Sequence, residues 1–209
     1  MDTKLIKTES ELEKSFDTLC KIDDLVAIKA EFEAEGTRIE ELIILAELCS
    51  KRNIKLTLKV GGPSSERDFY EAFQLGTNNI LVPMVESEYS LLNSVEIYLK
   101  FLPIFKHLKK VPKLFINIES RNAIKNLENI FNTISNQNLP LSGIVIGRSD
   151  LAASLNISDT NSKDIKEISE EILKLKNTFD ITLGGNVTNE SYEFIQNLTL
   201  KGLDCYETR

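Results

Sequence analysis

Apolar residues recur along the chain in two alternating rhythms. Short apolar runs, bounded by Gly, Pro, Asn or acidic residues, fall at 24–36, 54–63, 78–87, 112–120, 141–147, 180–186 and 202–209, and read as strands. Segments with helical spacing lie between them, at 38–53, 64–76, 88–100, 122–134, 162–178 and 189–198. The segment 64–76 carries helix signals at both ends: a Ser cap, early acids and a closing Gly76. An opening amphipathic stretch, 9–22, sets Leu12, Phe16, Leu19 and Ile22 on one helical face.

Strands that are apolar throughout and joined by helices imply a parallel sheet covered on both faces. Seven or eight such units predict an α/β fold of the (β/α)8 TIM-barrel type rather than an open doubly wound sheet. The barrel is expected to be incomplete, with about seven strands evident. An eighth strand is either hidden in "KLIK" (4–7) or absent, and the last strand has no closing helix after it. The 209 residues, without linker or composition break, are expected to form one domain, 1–209.

Composition narrows the partners. A net charge of −7 argues against nucleic acid, because nothing here could neutralise a row of phosphates. The one basic cluster, "KHLKK" (106–110), reads as a solvated helix end. No segment reaches the ~20 apolar residues of a membrane span. Three cysteines without CxxC spacing suit a reducing cytoplasm, with Cys20 and Cys49 expected as small core residues. The expected setting is therefore cytoplasmic, with a small-molecule partner.

In a parallel barrel the active site lies at the C-terminal ends of the strands. Those ends carry Glu31, Glu33 and Glu35; Lys59, Gly61 and Gly62; Glu86 and Ser87; Asn117 and Glu119; Arg148 and Asp150; Asn186; and Glu207 and Arg209. Glu119 and Asp150 end consecutive strands, and two such carboxylates offer hard oxygen ligands for Mg²⁺ or Mn²⁺. The plain alternative is that each caps the helix that follows, Asp150 as the N-cap of "LAASL". Lys29 and Lys59 could form a Schiff base, fix a carboxylate, or simply reach solvent. Gly61-Gly62 permits close backbone approach to a ligand or makes a turn. His107, the single histidine, sits in the basic stretch and is expected at the surface.

Three stretches, "NNILVPMVES", "LFINIESRNAIKNLENI" and "GIVIGRSDLAASL", in this order and spacing resemble the HpcH/HpaI aldolase and citrate lyase β-subunit family, a metal-dependent branch of the phosphoenolpyruvate/pyruvate barrels. The likeness covers about 24–209, and "KAEFEAEGTRIEEL", "LTLKVGG" and the ending "YETR" are similar to a divergent, citrate lyase-like subgroup. The resemblance implies Glu119 and Asp150 as metal ligands, with Asn117 as the polar residue two before the Glu. It puts Lys59 near the family's carboxylate-binding arginine, and Glu31 to Ala34 on the acidic segment of the second strand. The family's proton-transfer histidine falls on Ala34.

The function implied is a divalent-metal-dependent carbon–carbon lyase of aldolase type. It would act on a 2-oxo acid or related small carboxylate through an enolate stabilised by Mg²⁺ or Mn²⁺. Lys59 and Arg148 are expected to offset negative charge on substrate and enolate, and Glu33, Glu35 or a metal-bound water to serve as base. Gly61 and Gly62, with Asn117 and Glu86, are expected to bind substrate. Two alternatives stay open: a Schiff-base lyase using Lys29 or Lys59, and a non-catalytic or regulatory barrel binding a 2-oxo acid or acyl-CoA. A homo-oligomer is expected, since barrels of this class commonly assemble.

Overall fold

A computed structural model describes residues 3–22, 24–107 and 110–208. Helix α1 (Thr3–Leu19) leads into strand β1 (Ala27–Glu31), and strand and helix then alternate: α2 (Ile39–Lys51), β2 (Lys55–Lys59), α3 (Glu66–Gln74), β3 (Asn79–Val82), α4 (Glu88–Phe101), β4 (Lys113–Ile118). Helices α5 (Arg121–Lys125) and α6 (Leu127–Gln137) precede β5 (Leu141–Gly147). Then come α7 (Arg148–Leu155), α8 (Lys163–Lys174), β6 (Asp180–Gly184), α9 (Tyr192–Leu200) and β7 (Cys205–Tyr206).

The seven strands form one parallel sheet in the order β1-β2-β3-β4-β5-β6-β7. The sheet curls into an incomplete TIM-like barrel, as the strand pattern predicts. Its two edges, β1 and β7, do not pair among the described residues, yet Lys29 Nζ of β1 lies 2.9 Å from Glu207 Oε2, just past β7. Curling thus brings the first and last strands close enough for a pair of side chains to span the gap.

Residues two apart on a strand share a face, and the two faces differ sharply here. The outer face, under the helices, is aliphatic: Leu56, Leu58, Ile80, Leu114, Ile116, Ile118, Ile144, Ile146, Ile181 and Leu183 pack into one buried cluster with Leu42, Phe69, Phe73, Leu91 and Ile130. Removing this surface from water is the main favourable term for the fold. The inner face instead carries Lys29, Glu31, Thr57, Lys59, Asn117 and Glu119 beside Leu81, Phe115 and Val145, interleaved with Gly143, Gly147 and Gly184. Small residues make room there: a Cβ at Gly143 would lie 2.2 Å from the Phe115 ring.

Some local expectations need correction. "KLIK" is helical, part of α1, so no eighth strand is hidden there. Of the four apolar residues assigned to one face of the opening helix, Phe16 alone is buried; Leu12, Leu19 and Ile22 are exposed, and the helix ends at Leu19. Cys20 is likewise exposed rather than core, whereas Cys49 is buried. The segment 122–134 is two helices, broken at Asn126, whose side-chain amide donates to the Glu86 carbonyl. His107 is exposed, as expected; Leu108, Lys109 and Arg209 lie outside the described residues. No helix of the described residues is long and apolar enough to cross a membrane.

Candidate functional site

The inner-face charges gather where β1, β2 and β4 end. Glu119 follows β4 directly and is almost fully buried. Its carboxylate is held on both oxygens: Oε1 accepts from the Met84 N–H (3.0 Å), and Oε2 accepts from the Asn117 side-chain amide (2.7 Å). Met84 achieves this with φ +54°, a left-handed backbone that non-glycine residues seldom adopt. Such strain persists only where surrounding structure over-determines it, and here it aims an N–H at a buried carboxylate. Gly147 completes the seat: a Cβ there would lie 2.7 Å from Glu119 Oε2.

Lys59 Nζ stands 3.8 Å from Glu119 Oε2 and 3.9 Å from Glu31 Oε2, too far to donate to either. Beyond it, Lys29 Nζ lies 3.0 Å from Glu31 Oε1 and 2.9 Å from Glu207 Oε2. The charges therefore alternate across the mouth: Glu207, Lys29, Glu31, Lys59, Glu119. Burial lowers the pKa of Lys29, but the carboxylates of Glu207 and Glu31 outweigh it and hold the ammonium above its ordinary range. Burial pushes Glu119 up; the Lys59 charge and the donors at Met84 and Asn117 pull it down, the Asp150 charge adds to the rise, and the net direction is upward.

Asp150 is exposed, in the first turn of α7. It is not the N-cap of that helix, a place Gly147 takes. Its negative charge nonetheless acts on Glu119 across the β4 and β5 ends. These donors fit a hard divalent cation. Glu119 and Asp150 supply carboxylate oxygens, and the buried Asn117 Oδ1 accepts no hydrogen bond within the protein. Among the described residues no cluster of three His, Cys, Asp or Glu side chains could hold an ion. An ion here would rest on two carboxylates and take its other ligands from water and substrate, as Mg²⁺ does.

Other candidates are placed differently. Arg148 is wholly buried, and its hydrogen bonds end on neutral oxygens: Gly184 O (3.2 Å), Gly185 O (2.9 Å), Thr160 O (3.4 Å) and Asn161 Oδ1 (3.0 Å). It fastens the β6 exit to the start of α7 and is not among the charges gathered at the mouth. The Gly61 and Gly62 N–H groups are taken too, the first donating to Asp68 Oδ2 (2.7 Å) and the second to Ser65 Oγ (3.1 Å). Glu86 is half-buried and accepts from Ser120 Oγ, so it braces the N-terminus of α5. Glu33 and Glu35 are exposed, and Asn186 donates to Thr160 Oγ1 (3.3 Å).

Glu31 was placed at the rim by the strand pattern, without a role of its own. Acids at 31, 33 and 35 look alike in the sequence, but β1 stops at Glu31 and the chain bends, so only the first turns inward.

Residues 23–196 match the model of the HpcH/HpaI aldolase/citrate lyase family. No curated protein sequence matches the chain. Among solved structures, an HpcH/HpaI aldolase/citrate lyase family protein from Burkholderia cenocepacia J2315 superposes with a TM-score of 0.73 at 12% identity, covering 93% of this chain and 82% of that one. An HpcH/HpaI aldolase from Desulfitobacterium hafniense DCB-2 gives 0.74 at 11% identity, covering 93% and 80%. The citrate synthase SbnG gives 0.72 at 17% identity, covering 94% and 81%. At these identities the superpositions speak to the fold alone.

Proposed function

The chain belongs to the HpcH/HpaI aldolase/citrate lyase family, and from that premise we propose that it is a divalent-metal-dependent carbon–carbon lyase acting on a 2-oxo acid or related small carboxylate. The observation that carries the reading is Glu119: a buried carboxylate, seated by Met84 and Asn117, with Lys59 beside it and Asp150 close enough to perturb it. Glu119 and Asp150 would hold Mg²⁺ or Mn²⁺. That ion, when bound, supplies a Lewis acid that draws electrons toward the 2-oxo group.

The chain's own residues do the rest. Lys59, poised between two buried carboxylates, offers a positive charge to the substrate carboxylate and to the negative charge that develops as the C–C bond breaks. Asn117 keeps one acceptor, Oδ1, for a donor on substrate or water. The aliphatic outer face and closely packed glycines keep the strand ends rigid, so these groups need not reorganise during reaction.

The test is differential scanning fluorimetry and turnover. Mg²⁺ or Mn²⁺ with oxalate or pyruvate should raise the melting temperature together more than either does alone. Pyruvate release from 4-hydroxy-2-oxo acids should stop with EDTA and return with added metal. Pyruvate release that persists through exhaustive chelation rules the reading out. The same family premise leads us to propose a homo-oligomer, to be checked by light scattering.

A further inference from the structure

Among the described residues, Glu31 is a buried acid that the lyase reading leaves without a role. It is 1% exposed, and neither carboxylate oxygen accepts a hydrogen bond within the protein. Lys29 Nζ forms an ion pair with Oε1 at 3.0 Å, whereas Lys59 Nζ stays 3.9 Å from Oε2. A buried carboxylate oxygen left without a close partner, as Oε2 is, is costly, and native structures leave few such groups. Beside it is a pocket of about 20 Å³, lined by Glu31, Glu33, Ala34, Lys59 and Val60. A water needs at least ~10–15 Å³ and two to four polar partners. The two Glu31 oxygens and the Lys59 ammonium supply three. The 3.9 Å from Lys59 Nζ to Glu31 Oε2 is beyond hydrogen-bond reach, a separation that a water at the side of the pair can bridge.

We propose that Glu31, through one water held in this pocket by Glu31 and Lys59, is the proton acceptor and donor of the site. The inference rests on the lyase reading above. In cleavage of a 4-hydroxy-2-oxo acid, the water passes the substrate hydroxyl proton to the Glu31 carboxylate. The C3–C4 bond then breaks, its electron pair moves to the 2-oxo acid fragment, and an aldehyde leaves. The same proton returns through the water to C3, giving the methyl group of pyruvate and regenerating the Glu31 carboxylate. No other reactant is consumed. Glu31 acts through the water and is therefore a positioning residue, set between two lysines and shielded from bulk solvent.

The experiment separates binding from proton transfer. Exchange of the pyruvate methyl protons into D₂O, followed by ¹H NMR with Mg²⁺ present, reads the proton step; the melting-temperature shift with Mg²⁺ and oxalate reads binding. Glu31→Gln should slow exchange at least ~100-fold, the scale of general acid–base catalysis, while the oxalate shift stays within about a degree. In Glu31→Ala, added formate should restore part of the exchange, which a purely structural carboxylate would not permit. Should Glu31→Gln not fold, Glu31→Asp decides: exchange slowed at least about tenfold with binding kept supports the role. Exchange within about threefold of the parent in a folded Glu31 variant, or loss of exchange and oxalate binding in parallel, overturns it. A parent protein with neither oxalate shift nor exchange overturns the lyase reading, and this inference with it.

Discussion

Arg148 permits a sharp test, because the sequence offers it as a charge for the substrate whereas its hydrogen bonds in the fold all end on neutral oxygens. In Arg148→Ala, four hydrogen bonds from a buried guanidinium vanish, and the Gly184, Gly185 and Thr160 carbonyls lose a donor. A hydrogen bond to a charged group is worth roughly 1.5–3 kcal/mol net, so a naive sum would be large. Two corrections shrink it. Two of the bonds are long, at 3.2 and 3.4 Å, and removing the side chain also removes the cost of burying its charge. About 3–5 kcal/mol of destabilisation remains, from buried carbonyls left without a donor at roughly 1–3 kcal/mol each. For a chain of this size that lowers the melting temperature by roughly 6–20 °C. Arg148→Lys, a point charge with three donors in place of a fork, should lose less and should keep the oxalate-induced shift. Thermal unfolding by circular dichroism, run beside the oxalate titration, gives both numbers. An Arg148→Ala protein that melts within about 2 °C of the parent but no longer turns over would refute the stapling argument and return Arg148 to the substrate.

Other outcomes follow from the same geometry. Gly147→Ala should displace the Glu119 carboxylate from its seat, costing about 1–3 kcal/mol and weakening the Mg²⁺-dependent response at least tenfold by titration; an unaltered response would contradict the 2.7 Å approach. Met84→Gly should be neutral or stabilising and Met84→Val destabilising by about 1–3 kcal/mol, since one relieves the left-handed backbone and the other worsens it; urea titration of the two variants compares them. Borohydride with pyruvate should leave no adduct on Lys29 by mass spectrometry, because its flanking carboxylates hold it protonated. At pH 8 a maleimide should label Cys20 within minutes and spare Cys49, whose thiol burial pushes up to about 11; equal rates for the two would mean that the face of α2 carrying Cys49 does not stay packed.

Strand positions were readable in the sequence because the outer face of a parallel sheet leaves a plain signature: Leu56 and Leu58, Ile80 and Val82, Ile144 and Ile146 must all meet helices. That Glu119 and Asp150 lie at neighbouring strand exits was readable for a similar reason, since consecutive parallel strands put their exits side by side. What escaped depends on where regular structure stops. Nothing local tells that β1 ends at Glu31, and so which of three alternating acids turns inward. Nothing around "GRSDL" tells that Arg148 points back under β6, because its partners are backbone carbonyls, which have no residue signature. The early end of α1 leaves Cys20 in solvent for the same kind of reason: helical spacing continues in the sequence beyond the point where packing supports it.

The meeting of Lys29 with Glu207 has a geometric consequence. In a closed barrel every step of the circumference is one strand spacing, about 4.7–4.9 Å, fixed by backbone hydrogen bonds. Here one step, from β7 back to β1, is spanned by two side chains and their opposite charges. The bore of the mouth is therefore set in part by the length of a lysine and a glutamate, and one substitution at either end resizes it by changing the separation of β1 and β7 alone.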